Sequence, residues 1–292
     1  MNQKQKSLDR QILLIKIYSV TLSALFILPV VIPYYRDVIG IGFQEFLIAE
    51  AVFSAVVIFG EVPSGFLSDI WKRKYVLAAG LVCGILGYTL LLFANGLAMA
   101  ILSQAVIGVG LSLTSGTAQA LLYDSLLEQG RENEFRKLEG QRHGLGLYAL
   151  AFACVIGGVL YQINPYAPLI ADLVAVTIAL IAVLCLDEPA RSKREIHHSP
   201  FRDIWETTKY ALHGHKEIAG IILSAAILFA GTKLLMWSQQ PYYIALGLPE
   251  YMFGFLIAGG AVLGGLGGQF GHLLDKKLSN KGILLTSVMA VV

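Results

Sequence analysis

Long apolar runs alternate with short polar turns along this chain. The complete runs are 12–35, 44–66, 75–94, 97–122, 144–162, 167–186, 217–239 and 251–273. A helix rises about 1.5 Å per residue, so each run can cross a hydrocarbon core roughly 30 Å thick. A further run starts near Lys281, and the sequence reaches Val292 before that run is long enough to span. The pattern predicts an all-α, polytopic helical membrane protein.

The composition indicates that lipid surrounds most of the chain. Hydrophobic residues make up 56% of it and charged residues only 14%, whereas soluble domains carry about 25% charged residues. Of the 22 Lys and Arg residues, 19 lie at the N-terminus and in the segments 67–74, 123–143, 187–216 and 272–281. Because cytoplasmic loops are enriched in Lys and Arg, we expect a multi-pass protein of the inner (cytoplasmic) membrane with a cytoplasmic N-terminus.

Two short patterns occur twice. Pro33-Tyr34-Tyr35 returns as Pro241-Tyr242-Tyr243, and Gly65-x-Leu67-x-Asp69 returns as Gly271-x-Leu273-x-Asp275. The offsets, 208 and 206 residues, are nearly equal, so both patterns keep their position relative to the apolar runs. This register predicts parallel repeats of six spans, the second of which is incomplete.

The repeat divides the chain into three predicted parts. Residues 1–186 form an N-terminal six-helix half, and residues 217–292 hold spans 7, 8 and part of 9 of a C-terminal half. Residues 187–216 form a cytoplasmic linker. Its stretch 200–212 has apolar residues at helical spacing, which predicts a short amphipathic helix on the membrane surface.

The turn between the second and third runs carries a glycine, a carboxylate and cations at fixed positions. Its key residues are Gly65, Leu67, Asp69, Arg73, Lys74 and Leu77. The turn resembles the inner turn of the major facilitator superfamily, Gly-x-Leu-x-Asp-Arg-x-Gly-Arg-Lys-x-x-Leu, from which Ile70 and Lys72 depart. We expect Gly65 to let a neighbouring helix approach, and Asp69 to pair with Arg73 or to cap a facing helix.

The resemblance implies a fold and an inner gate. Members of this family have twelve spans in two six-helix halves, of which this chain would hold about eight and a half, a C-terminally truncated version. By resemblance, Asp124 at the end of span 4 would pair with Arg73 and form a latch that breaks as the halves rock. The residues assigned to this inner gate are Gly65, Asp69, Arg73, Lys74, Asp124 and Glu61, and the second repeat carries Gly271 and Asp275 at matching positions.

Ionisable residues inside apolar runs are costly in a membrane, which makes them functional candidates. Glu50 and Lys233 each lie 16 residues from the inner end of their span, about 24 Å above the inner surface at the rise of a helix. One belongs to each repeat, and we expect them to face each other at an outer gate. The alternative is that each side chain snorkels to the outer interface.

In this family, spans 1, 4 and 7 line the central cavity. The polar residues that the resemblance places there are Tyr18, Thr21, Gln104, Ser115, Gln119, Trp237 and Gln240. Their weakly polar character favours a neutral or amphiphilic substrate. Gln104 stands where the family often has an arginine linked to proton coupling, and a neutral amide cannot shift the pKa of a carboxylate by charge.

These features predict a secondary active transporter of a small organic solute that works by alternating access and is coupled to protons. Efflux is favoured over uptake by a metabolite symporter. A third interpretation is a truncated, transport-incompetent fragment or one half of a split transporter, because the sequence ends inside a run.

Other classes of function lack their motifs. The sequence has no His-Glu-x-x-His, no Gly-x-Ser-x-Gly and no Gly-x-x-x-x-Gly-Lys-Ser/Thr, so we expect neither an enzyme nor a nucleotide partner. The cysteines and histidines have no metal-ligand spacing, and we expect no metal or cofactor. The net charge of +2 gives no reason to expect nucleic acid. The predicted partners are therefore the substrate, protons and the lipid bilayer.

Overall fold

The structure, a computed structural model, describes residues 3–189 and 216–275, which form helices and short turns with no strand among them. The α-helices are α1 (Gln3–Ser23), α2 (Val31–Tyr34), α3 (Phe43–Ile70), α4 (Arg73–Leu92), α5 (Leu97–Thr114), α6 (Thr117–Leu127), α7 (Phe135–Ile163), α8 (Ala167–Leu184), α9 (Lys216–Ala245) and α10 (Glu250–Asp275). Two 3₁₀ helices, Leu28–Val30 and Glu132–Glu134, and a π-helical turn, Tyr35–Ile39, lie between them. The predicted all-α fold class is confirmed.

The described residues contain segments long and apolar enough to cross a membrane, as expected of a multi-pass membrane protein. They are Ser7–Ile39, Phe43–Ile70, Arg73–Leu92, Leu97–Leu127, Glu132–Ile163 and Ala167–Leu184. These segments correspond to the first six predicted runs, and most of their ends lie within a few residues of the predicted ones. The predicted runs 217–239 and 251–273 lie in α9 and α10. The predicted linker helix and the last partial run lie outside the described residues.

Span 4 is two helices rather than the one that the sequence predicted. The chain leaves α5 after Thr114 and starts α6 at Thr117. Gly116 between them has φ +70°, a left-handed conformation that glycine adopts without the steric cost that a side chain would incur. The continuous apolar run conceals this break, because hydropathy does not report backbone angles.

Span 1 is also interrupted. Helix α1 ends at Ser23, and the next helical turn starts at Leu28. Pro29 has no backbone N–H to continue an α-helix across the gap. The amides of Phe26 and Ile27 instead donate to the carboxylate of Asp172 on α8, at 2.7 and 3.0 Å. A contact 146 residues away in the sequence thus holds the interruption.

Contacts divide the chain into two compact units, Met1–Arg194 with Leu248–Val262, and Glu195–Gly247 with Leu263–Val292. In the first unit, α1 packs against α7 and α8, and α5 packs against α3 and α4. Its apolar core includes the buried side chains Ile15, Tyr18, Leu81, Leu121 and Val176. The domain boundaries predicted from the sequence stay a prediction.

Glycines bring α4 and α5 into backbone contact. A Cβ atom on Gly80 would lie 2.8 Å from the carbonyl oxygen of Gly110, and one on Gly110 would lie 2.7 Å from the carbonyl oxygen of Gly80. Any larger residue would push the helices apart. The hydroxyl of Ser103 adds a hydrogen bond to the carbonyl oxygen of Gly87 at 2.9 Å. This pair of helices forms the scaffold on which the sites below are built.

The two Pro-Tyr-Tyr segments are followed by the same local turn. Gly40 comes after the first with φ +80°, and Gly247 comes after the second with φ +70°. A positive φ ends the helix and is accessible to glycine at little cost. The recurrence of glycine in the sequence therefore reflects a shared turn into the following span.

Candidate functional site

One end of the first unit holds Arg73, Asp124, Arg131 and Glu188, and we call it the basic end. The motif turn meets the end of span 4 there. Nη1 of Arg73 lies 2.7 Å from Oδ2 of Asp124. The side chains are only 13% and 15% exposed, so water screens this ion pair weakly. The two atoms are not aligned as a hydrogen bond, and the contact is an electrostatic one. The contact is the one that the resemblance implied, whereas its gating role stays a prediction.

Glu188 caps the N-terminus of α4, where the same motif begins. Its Oε1 accepts the backbone N–H of Arg73 at 2.8 Å, and its Oε2 accepts that of Lys74 at 3.0 Å. The Lys74 ammonium donates to the carbonyl oxygen of Leu186 at 2.8 Å. A carboxylate at a helix N-terminus satisfies free amides and opposes the positive end of the helix dipole. Sequence reasoning missed Glu188, although it follows the sixth run on the same side as the motif.

The remaining inner-gate residues lie on the exposed side of α3. Glu61, Gly65 and Asp69 are all exposed, and the hydroxyl of Ser115 donates to Oε1 of Glu61 at 3.3 Å. In the described part of the chain no heavy atom lies within 4 Å of a Cβ built on Gly65, because this position of α3 faces away from the helices that the structure describes. The predicted close approach of a helix there stays a prediction.

Polar contacts tie α1 to α7 near the basic end. The Lys16 ammonium donates to the side-chain oxygen of Gln141 at 2.9 Å. Arg142 donates to the hydroxyl of Ser19 at 3.0 Å and pairs with Glu139 at 2.5 Å. Lys16, a cation inside the first predicted run, thus has an uncharged partner on another helix.

Arg131 links α1 to the loop before α7. It donates to both carboxylate oxygens of Glu134, at 2.6 and 2.7 Å, and lies 3.8 Å from Asp9. The hydrogen bonds to Glu134 raise the pKa of the Arg131 guanidinium above its usual value.

Glu50 is buried among the helices of the first unit. Glu50 is 8% exposed and Gln104 is 9% exposed. Oε2 of Glu50 accepts a hydrogen bond from the side-chain amide of Gln104 at 3.3 Å. The buried Glu50 side chain therefore does not snorkel to the outer interface, and one N–H of the Gln104 amide donates to it. Lys233, in the second unit, lies over the ring of Trp237, with Nζ 5.6 Å from the ring centroid. The predicted pairing of Glu50 with Lys233 stays a prediction.

The candidate cavity residues of the first unit have different environments. Tyr18 is 3% exposed and interacts with Thr114, while the hydroxyl of Thr21 donates to the carbonyl oxygen of Ile17 at 2.8 Å. Ser115 and Gln119 are exposed. In the second unit, Gln240 is buried. Only the exposed members offer a polar group with ready access to a solute.

A cavity of about 200 Å³ lies inside the first unit. Its walls are mostly apolar and come from α1, α3, α4, α5 and α8. The wall residues that matter below are Leu22, Leu25, Tyr88 and Val176. Sequence reasoning gave no sign of it, because a void depends on how five helices pack.

The opposite end of the first unit carries a second polar cluster. Arg36 pairs with Asp37 at 2.6 Å and lies 3.7 Å from Glu250 at the start of α10. The hydroxyl of Tyr161, at the end of α7, donates to Oδ2 of Asp37 at 3.1 Å. The cluster joins the ends of spans 1 and 5 to the start of the 250–262 segment. The sequence showed only Arg36, the single cation predicted on that side.

The second-repeat motif lies in the last part of α10. Gly271 and Asp275 lie in α10, and their side chains fall outside the part of the chain that the structure describes. Within the described ranges, no group of three or more His, Cys, Asp or Glu residues could hold a metal ion.

Comparison with known proteins identifies the family. The family model of the Major Facilitator Superfamily matches residues 14–292. The uncharacterized MFS-type transporter YxaM of Bacillus subtilis (strain 168) is 23% identical over 221 residues, which cover 74% of this chain and 54% of YxaM. The alignment thus spans about half the length of that relative.

A solved structure shows the same fold. The nucleoside transporter NupG (D323A mutant) superposes with a TM-score of 0.73 at 12% sequence identity, covering 91% of this chain and 69% of NupG. The family match extends over nearly all of the sequence, and the fold agrees with it. The chain belongs to the Major Facilitator Superfamily.

Proposed function

We propose that this protein is a secondary active transporter that moves a small organic solute across the inner membrane by alternating access. The observation that carries the proposal is the ion pair between Arg73 and Asp124, 2.7 Å apart at the basic end. It ties the start of α4 to the end of α6 through two poorly hydrated charges. Such a contact stabilises one arrangement of the helices and is lost when their ends separate, which is how a latch between two conformations works.

The proposed orientation places the N-terminus and the basic end in the cytoplasm. The bias of Lys and Arg toward that side supports it. In a cysteine-free background, Glu132→Cys and Gln162→Cys would report the two sides, since both residues are exposed. An impermeant maleimide added to intact cells should label Gln162→Cys, and should label Glu132→Cys only after permeabilisation. The reverse pattern would refute the orientation.

The proposed coupling ion is the proton, and the proposed direction is efflux. Buried carboxylates inside spans, such as Glu50, support coupling because proton binding there can be linked to a change of conformation. The weakly polar cavity candidates, such as Tyr18 and Gln119, support an amphiphilic solute. The structural neighbour NupG is a nucleoside transporter, and nucleosides therefore belong in the panel of solutes to be tested.

Proteoliposomes of the full-length protein test this proposal. Labelled amphiphiles, metabolites and nucleosides would be offered under an imposed pH gradient, and counterflow without a gradient would separate carrier activity from leakage. We expect at least one solute to exchange, and its antiport or symport with protons to give the direction. Arg73→Gln should slow exchange, and Thr177→Val, an exposed site on α8, should not. Absence of exchange by folded, correctly oriented protein would contradict the proposal.

A further inference from the structure

One buried carboxylate binds the backbone where span 1 is interrupted. Between Ser23 and Leu28 the backbone is not helical, and a bilayer offers no water to satisfy amides freed in this way. Phe26 N–H donates to Oδ1 of Asp172 at 2.7 Å, and Ile27 N–H donates to Oδ2 at 3.0 Å. Asp172 is 1% exposed. Each carboxylate oxygen therefore holds one of the two amides.

This arrangement suits the ionised carboxylate better than the protonated one. Both oxygens of the ionised form accept freely, whereas the protonated form carries an O–H donor on one of them. When a proton from the medium takes the lone pair of Oδ2 that accepts from Ile27, its O–H faces the N–H of Ile27 and the hydrogen bond is lost. Among the described residues, the titratable groups that interact with Asp172 are Tyr88 of α4 and Cys154 of α7. Neither is a cation that would hold the carboxylate in its ionised form.

The interruption has a tight helix contact and a cavity beside it. Helix α7 makes the tight contact, where a Cβ atom on Gly157 would overlap the carbonyl oxygen of Phe26. The apolar cavity of about 200 Å³ has Leu22 and Leu25 of span 1 in its wall. Val176, one turn beyond Asp172, is also in the wall. The segment that Asp172 holds therefore borders empty space.

We infer that Asp172 is a positioning residue whose protonation releases the interruption of span 1, so that the two parts of the span change their mutual angle. The inference rests on the proposed function, because a proton-controlled bend in span 1 would couple proton binding to movement of Tyr18 and Thr21. The proton comes from the medium, the hydrogen bond between Ile27 N–H and Oδ2 breaks, and the amide of Ile27 becomes free to exchange. No substrate takes part in this step.

Hydrogen–deuterium exchange of the full-length protein in lipid nanodiscs tests the inference without a known substrate. The readout is the protection of a peptide that covers Phe26 and Ile27, from mildly alkaline to acidic pH and after correction for the intrinsic pH dependence of exchange. We expect protection to fall by about tenfold on acidification, the change that follows from losing one charge-assisted hydrogen bond. Asp172→Asn should show the low protection at every pH.

The matched control is Thr177→Val on the same helix. Its hydroxyl is exposed and donates only to the carbonyl oxygen of Leu173, at 2.7 Å, so this variant should keep the wild-type pH profile. Protection that Asp172→Asn does not change would overturn the inference. So would wild-type protection that stays constant with pH, which would make Asp172 a static cap, and this second outcome needs no variant to fold.

The inference and the proposed function can fail separately. A pH-dependent protection in a protein that exchanges no solute would leave the carboxylate assignment standing and remove the transport assignment. A pH-independent protection in an active transporter would do the opposite.

Discussion

Removal of one partner of the ion pair between Arg73 and Asp124 should destabilise the first unit more than surface charges normally do. Exposed ion pairs contribute about 0–1 kcal/mol, whereas removing one partner of a buried pair costs about 3–5 kcal/mol. With exposures of 13% and 15% and a separation of 2.7 Å, this pair lies near the buried case. We therefore expect Arg73→Gln and Asp124→Asn each to cost about 2–3 kcal/mol.

The double variant tests whether the cost comes from the pair itself. If it does, Arg73→Gln with Asp124→Asn should cost less than the sum of the single variants, by at least about 1 kcal/mol of coupling. The variant that exchanges the two charges, Arg73→Asp with Asp124→Arg, should regain only part of the lost stability. Its aspartate at position 73 would start α4 beside Glu188, whose carboxylate caps this helix. Repulsion between the two carboxylates offsets part of the regained attraction.

Thermal unfolding of the purified protein in detergent measures these costs, and solute exchange measures their effect on transport. The matched control is Asp37→Asn at the opposite end, whose pairing with Arg36 is 42–44% exposed and should contribute about 1 kcal/mol or less. Additive single variants, or an equal loss at Asp37, would refute the reasoning that burial makes this pair important.

The other predictions concern packing and capping, and thermal unfolding in detergent checks each of them. Gly110→Ala should cost about 1–3 kcal/mol, because its Cβ would overlap α4, whereas Gly140→Ala, with no described heavy atom within 4 Å of its Cβ, should be neutral or stabilising; equal effects would contradict the backbone contact. Glu188→Ala should cost about 1–2 kcal/mol through the loss of its cap, and an unchanged midpoint would show that water replaces it. Tyr161→Phe should cost about 1 kcal/mol through the lost hydrogen bond to Asp37, and an unchanged midpoint would show that this bond adds nothing to stability.

The sequence predicted the fold class and the first six spans because lipid imposes a simple requirement. A segment that crosses the bilayer must be apolar, about twenty residues long and helical. The contact between Arg73 and Asp124 could be expected as well, because the turn that holds Arg73 resembles a family motif and the resemblance implied a partner at Asp124.

Features that depend on distant contacts were not predictable in the same way. The interruptions of spans 1 and 4 depend on Asp172 and on the positive φ of Gly116, and neither alters the hydropathy of its run. The cap by Glu188 joins residues 115 positions apart. Asp172 did leave a signal, since it is the only ionisable residue in the run 167–186 apart from Cys185. At Gly65 no described heavy atom approaches, because a small residue permits close contact without requiring it.

The contact between Gly80 and Gly110 has a mechanical consequence. Since main-chain atoms of the two helices meet there, the distance between α4 and α5 cannot shrink by a change of side-chain rotamer. We expect these two helices to act as one stiff beam with Arg73 at its tip. A pull on that tip would then displace both helices together, as far as Leu97 at the opposite end of α5.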